Sequence, residues 1–263
     1  MLLRRITKHV KDQNWFAVGL DFFIVVLGIL IAFQITNWSE TRSERKLESE
    51  YMVLLARDIA TIETELKQQI VQDDYIAANA KTALAKVNNR HAGIDPLEIG
   101  QSLTSIFGRR TLTLDSPTFS EMKSAGRLTL IQDTALRNRM ISYFDEMQRL
   151  ELISEQNNEF FVEAFTAFLR DSGLGYMPLP TADCLPSLSY AACGSSELVT
   201  SVFGTEQTHA AAEILGVPAD DPLWAKVRSH IVWRGVIAGA SVNLAEQALE
   251  DTESLLADIE ATQ

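Results

Sequence analysis

Cys184 and Cys193 are the only two cysteines and enclose eight residues, LPSLSYAA, in a stretch rich in Pro, Gly and Ser. In an oxidising compartment they would close a small disulfide loop. Such a loop stabilises by roughly 2–3 kcal/mol on the chain-entropy model when its geometry is unstrained. Zinc binding lacks the nearby His or further Cys that a tetrahedral set needs. A nucleophilic thiol in CGSS lacks a local His to activate it. Disulfide and inert thiols stay open as readings. The four histidines, His9, His91, His209 and His230, are scattered. His209 and Glu213 share a helix face, a spacing that serves a solvated contact more often than a ligand pair. Asp73–Asp74 and Asp220–Asp221 read as helix ends or turns, and no loop of alternating oxygen ligands for calcium surrounds them. DDP at 220–222 fits an N-cap followed by proline. No phosphate-cradling Gly loop, G-x-S-x-G elbow or H-E-x-x-H is present. The residues therefore nominate no catalytic group, no metal ligand and no cofactor. Arg109, Arg110 and Arg127, with Arg137 and Arg139 later, are the basic concentration of the acidic part of the chain and a candidate anion-binding surface. Ion pairing with the abundant Glu and Asp competes for them.

The net charge of −12 over 263 residues is unevenly held. Arg4, Arg5, Lys8 and Lys11 face only Asp12 and Asp21 before residue 39, so the remainder is more acidic than the whole. A domain of that sign is a poor phosphate-backbone binder, and no nucleic-acid partner is expected.

WFAVGLDFFIVVLGILIAFQITNW, residues 15–38, is the longest apolar run. Phe16 to Ile35 is twenty residues, which at ~1.5 Å per residue covers a hydrocarbon core of ~30 Å. Trp15 and Trp38 bracket it where indoles anchor at membrane interfaces. A cleaved signal would have a shorter apolar region and a small-residue cleavage site. A buried soluble helix would keep a polar face, which Phe22 to Phe33 lacks. The run predicts a membrane anchor at 16–38 after a basic tail at 1–15, with the bilayer as first partner. At 100° per residue, Asp21 falls within about 20° of Gly28, and Ala32 and Thr36 continue the stripe. Gly28-x-x-x-Ala32 is a small-xxx-small pattern that lets helix backbones approach. A carboxylate in the span costs about 2.5–3.5 kcal/mol on insertion scales, so it should face protein or water. Alternatively the membrane begins at Phe22 and Asp21 sits among headgroups. On the first reading, Asp21, Gly28, Ala32 and Thr36 form a contact face for a second copy or another membrane protein.

Beyond the span, residues 39–263 predict an acidic helical bundle, with the cysteine-containing loop at 171–205. Met52, Leu55, Ile59, Ile62 and Leu66 recur at helical spacing in a segment without Gly or Pro, so the helix runs on to about Val87. Leu97–Phe107 reads as a short helix. RTLTLDS and GRLTLIQ alternate apolar and polar residues and predict two short extended segments. Between them Ser116 can be an N-cap, Pro117 the first helical residue and Gly126 a left-handed stop. Asp133 caps a long helix whose apolar line is Leu136, Met140, Phe144, Met147, Leu150, Ile153, Phe161, Phe165 and Phe168. A last helical region begins near Glu206, breaks at GVPADDP and resumes at Pro222. Its inner face is Leu223, Val227, Ile231, Ala238, Val242, Ala245, Leu249, Leu256 and Ile259. The fold class is all-α: a transmembrane helix continued by a long stalk helix into an antiparallel bundle.

Two segments carry a family resemblance. GILIAFQITNWSETR (residues 28–42) resembles the membrane-exit signature of a family of uncharacterised bacterial single-pass membrane proteins, whose anchor ends in a Gln-Ile-Asn-Asn-Trp-like motif. SPTFSEMKSAGRLTLIQDTALRNRMISYF (residues 116–144) is similar to that family's central Thr-Phe-x-Glu-x-Lys-x-Ser-Gly segment. Thr36 stands where the family usually has Asn, and Asp21 where Glu is typical. The resemblance implies a single-pass architecture and transfers no activity or site.

These readings lead to a membrane-anchored helical interaction module, an accessory or scaffold subunit of the bacterial envelope. The expected location is the inner membrane, N-terminus cytoplasmic and main domain periplasmic. Arg42, Arg45 and Lys46 after the span make the charge bias for that orientation small. The alternatives are an envelope hydrolase with its site between the bundle and the 171–205 loop, and a ligand-sensing bundle acting through a membrane partner.

Overall fold

The computed structural model describes residues 15–90, 93–94, 96–106, 108–172, 217–218 and 220–262. Among these the fold is all-α, with no strand. The chain divides into two compact units between Met52 and Val53, and helix α1 (Trp15–Asn88) contributes to both. The described part of the first unit is the opening stretch of α1, whose apolar side chains before residue 39 are not buried, Phe22 being exposed at 71% and Phe33 at 66%.

The second unit holds the rest of α1, then α2 (Pro96–Thr104), α3 (Pro117–Ser124) and a 3₁₀ turn (Arg127–Leu130). α4 (Thr134–Asn157) passes through a π turn (Asn158–Glu163) into α5 (Ala164–Asp171), and α6 is Pro222–Glu260. The caps are those the sequence predicts. Ser116 Oγ accepts from Phe119 N–H at 3.0 Å ahead of Pro117. Asp133 accepts from Ala135 and Leu136, and Asp221 from Leu223 ahead of Pro222. Each satisfies amide groups that a helix start leaves orphaned. Gly126, at φ 67°, provides the left-handed stop after α3.

Helix directions follow from the pairs that meet. Going up α1, Lys67 pairs with Glu253 and Ala80 abuts Gly235, while Val87 shares a core cluster with Trp224, so α6 descends as α1 rises. Along α4 and α5, Arg139 pairs with Asp258, Tyr143 with Thr252, Phe161 with Trp233 and Phe168 with His230. α6 is therefore antiparallel to both, and the chain must return along the bundle between α1 and α4. RTLTLDS makes that return. Arg110 pairs with Glu65 and Ser116 with Asp58, so the segment runs against α1. Leu112 and Leu114 point inward while Thr111 and Thr113 are exposed, the expected alternation. Its backbone bonds go to side chains instead of a neighbouring strand. Glu151 accepts from Leu114 N–H, and Asn158 Nδ2 donates to Arg110 O at 2.9 Å.

Met52, Leu55, Ile59, Ile62 and Leu66 are all buried, as predicted. Four expectations are corrected. Asp73–Asp74 is not a helix end or turn but lies inside α1, with Asp73 buried. GRLTLIQ is not extended: with no strand beside it, residues 127–130 satisfy themselves by i→i+3 bonds. On α4–α5 Phe165 is buried as expected, but Ile153, Phe161 and Phe168 are half-buried and Ser154, Val162 and Leu169 are buried in their place. The π turn holds an extra residue and advances the helix face. On α6 the buried residues are Trp224, Ala248 and Leu255 where Leu223, Leu249 and Leu256 were expected. The buried line also takes in Arg234 and Thr252, two polar positions that an apolar pattern skips. The region near Glu206 lies outside the described residues.

Gly235 lets α1 and α6 approach: a Cβ there would meet Ala80 Cβ at 2.9 Å, and an alanine has no rotamer with which to yield. Glycine-to-alanine inside a helix ordinarily gains about 1 kcal/mol. Gly235→Ala is expected to reverse that sign and cost about 1–3 kcal/mol through overpacking, read as a lower denaturation midpoint with an unchanged slope.

Candidate functional site

In the first unit the relevant geometry is the surface of one helix. An 18-residue window of α1 is apolar enough to cross a membrane, and none of it is buried. Asp21, Gly28, Ala32 and Thr36 are all exposed, and nothing lies within 4 Å of a Cβ built on Gly28. Thr36 Oγ1 donates to Ala32 O at 3.0 Å, so its hydroxyl is satisfied within the helix and adds little polarity to the stripe. Trp38 is 65% exposed, and the Arg42 guanidinium sits 5.6 Å from its ring centroid. That pairing suits an interface where an indole meets charged headgroups. Trp15 is the first residue of α1, and its side chain lies outside the described residues.

In the second unit the chemistry-bearing groups are mostly drawn into the core. Asp58, buried on α1, accepts from Ser116 Oγ at 2.8 Å and from Thr118 N–H at 3.1 Å. Desolvation pushes its pKa up, but the hydrogen bonds from Thr118 and Ser116 and the charge of Arg57 outweigh this and leave it below the ordinary value. Asp58 thus reinforces the cap of α3 from another helix. Tyr143 and Thr252 meet at 2.9 Å, and Thr252 spends its proton on Ala248 O at 2.6 Å, which makes the phenol the donor. Burial raises the Tyr143 pKa to about 12, well out of reach of acid–base work near neutrality. His230 stacks on Phe168 at 4.5 Å, and desolvation lowers its pKa, so it completes an aromatic wall. A further polar layer joins Gln69, Gln72 and Asp73 of α1 with Arg234 of α6.

Arg109, Arg110 and Arg127, singled out in the sequence, each face a carboxylate. Arg109 pairs with Glu163 at 2.6 Å, Arg110 with Glu65, and Arg127 with Glu121 at 3.7 Å. Arg109 edges a groove of about 360 Å³ with Glu151, Glu155, Glu159 and Glu163, at four-residue spacing along α4 and the π turn. The acids and the histidine whose proton equilibria the fold moves, Asp58, Asp73, Tyr143 and His230, do not line it, nor do Lys67, Arg90 and Arg234. Among the described residues no three His, Cys, Asp or Glu side chains are placed to hold a metal. Cys184, Cys193, His91 and His209 lie outside the described residues. Sequence reasoning missed the Asp58 and Asp73–Arg234 arrangements. Its available signal was polar residues falling in phase with the apolar stripe of α1 and α6.

Asp58→Ala should cost about 1–3 kcal/mol at neutral pH, because it leaves buried donors of Ser116 and Thr118 unpaired. A carboxylate held below the unfolded value, about 3.9, binds fewer protons in the fold than in the unfolded chain. Its contribution is complete above that value and lost as pH falls through the folded one. The gap between wild type and variant in chemical denaturation should therefore narrow toward pH 3.

No curated protein and no solved structure matches the chain. One family model does, over residues 21–156, and its description is Family of unknown function (DUF6090).

Proposed function

The chain belongs to the DUF6090 family, and from that premise we propose that it is a membrane-anchored helical interaction module, an accessory or scaffold subunit of a bacterial envelope. One observation carries the reading: α1 presents a membrane-length apolar stretch that none of the described residues buries. In water such a surface would expose several hundred Å² of apolar area, which soluble monomers rarely do. A bilayer removes that cost. The helical second unit, with its reactive groups committed to structural hydrogen bonds, suits binding better than turnover.

We assign the contact within the bilayer to the stripe of Asp21, Gly28, Ala32 and Thr36, with a second copy or another membrane protein opposite. Small residues let helices close to contact distance, and a carboxylate in the span gains from a protein partner. We place the N-terminus in the cytoplasm, since Arg4, Arg5, Lys8 and Lys11 precede the span. On that orientation the acidic second unit is periplasmic, where a Cys184–Cys193 disulfide would be stable.

The test is cysteine crosslinking of the full chain in native membranes. Gly28→Cys and Ala32→Cys should each give a discrete adduct, while Leu30→Cys, on the opposite helix face, should give little. Fractionation should leave the uncleaved protein in the membrane pellet. Adducts of equal yield from all three positions, or none, would defeat the contact face. Recovery of the intact chain in the soluble fraction would defeat the anchor.

A further inference from the structure

The buried layer of Gln69, Gln72, Asp73 and Arg234 is short of hydrogen-bond donors. Asp73 is 4% exposed, and its Oδ2 accepts from Gln69 Nε2 at 2.6 Å. The Oε1 atoms of Gln69 and Gln72 are buried with no hydrogen-bond partner. Gln69 lies three residues before Gln72 and four before Asp73, and its orphan oxygen belongs to the same amide that already bonds the Asp73 carboxylate. Arg234 does not fill the deficit. Its Nε donates to Ile106 O at 2.9 Å and its Nη2 to Gly108 O at 2.7 Å, and its charge acts on Asp73 without ion-pair contact. Turning the Gln69 amide over would set its oxygen against the carboxylate, which is worse. A buried acceptor without a donor bears a desolvation cost of about 1–3 kcal/mol.

We propose that Asp73 is a proton-binding site, and that with Gln69 it forms a pH-sensitive latch within α1, where that helix meets α6. The proton comes from solvent and converts the carboxylate into a carboxylic acid. The new O–H donates to Gln69 Oε1 while Gln69 Nε2 keeps its bond to the other carboxyl oxygen. An acid and a primary amide make two such bonds where a carboxylate makes one. The groups acting on Asp73 are Gln69 and Asp74 from α1 and Arg234 and Ser241 from α6. Desolvation raises its pKa and leads the balance over the opposing bonds from Gln69 and Ser241 and the charge of Arg234, while Asp74 adds to the rise. The folded chain therefore binds more protons than the unfolded chain in the window above about pH 3.9, and the latch tightens as pH falls through it. This inference is independent of whether α1 crosses a bilayer.

The test is thermal unfolding of the full chain in mild detergent from pH 4 to 8, wild type against Asp73→Asn. The variant supplies a neutral amide at every pH. It should melt roughly 2–4 °C above wild type at pH 8, and the gap should close toward pH 4. A gap that does not change with pH, or a variant that melts below wild type at pH 8 and recovers at pH 4, overturns the proposal. Should Asp73→Asn fail to fold, the ¹³C resonance of the assigned Asp73 carboxyl in wild type decides. Titration above the ordinary aspartate range supports the latch, and titration within or below it overturns the latch.

Discussion

A guanidinium that is 4% exposed must find acceptors, and the bundle is arranged around where Arg234 finds them. The carbonyls of Ile106 and Gly108 lie just past α2, so the arginine fixes the point at which the chain leaves that helix and turns back along α1. Once that exit is set, Arg110 reaches Glu65, Leu112 and Leu114 drop into the core, and Ser116 arrives at Asp58. α3 starts there because the serine caps it and the aspartate holds the serine. Removing a buried charge from such a position is costly because its partners are left unpaired. The same side chain that an apolar pattern rejects is thus the one that routes the fold.

Two different solvents are written into α1. Its first stretch is apolar on all sides and has no polar seam, so it suits a medium that offers no hydrogen bonds. Its later stretch alternates buried and exposed positions at helical spacing and carries Asp58, Gln69, Gln72 and Asp73 on the inner side. Those polar groups are affordable only where other elements meet them. Asp58 is met by the start of α3, while in the Asp73 layer the buried oxygens of Gln69 and Gln72 are left without donors.

Among the described residues, the chemistry-bearing groups are mostly committed to architecture. Tyr143, Thr252, His230 and Asp58 could each serve in a reaction, yet each is committed to a stack, a cap or a buried hydrogen bond. The glutamates along α4 and the π turn are open to solvent, but Arg109 pairs with Glu163 across their groove and Glu151 holds the backbone of Leu114.

The sequence by itself determined the all-α class, the helix starts at Ser116, Asp133 and Asp221, the Gly126 stop and the buried face of Met52 to Leu66. These depend on interactions within a few residues: a side-chain oxygen on a nearby amide, a fixed proline φ, a period of 3.6. It also marked the membrane-length helix, since length and polarity are local. It did not determine the 3₁₀ turn at 127–130, the face shift of the π turn or the burial of Arg234 and Thr252. Those were decided by partners distant in the chain, which supply or withhold a strand, a carbonyl or a hydroxyl. Asp58 and Asp73 show the division most plainly. Both are aspartates on one helix, and tertiary packing sets them apart: desolvation leads at Asp73 and raises its pKa, while at Asp58 the bonds from Thr118 and Ser116 outweigh desolvation and lower it.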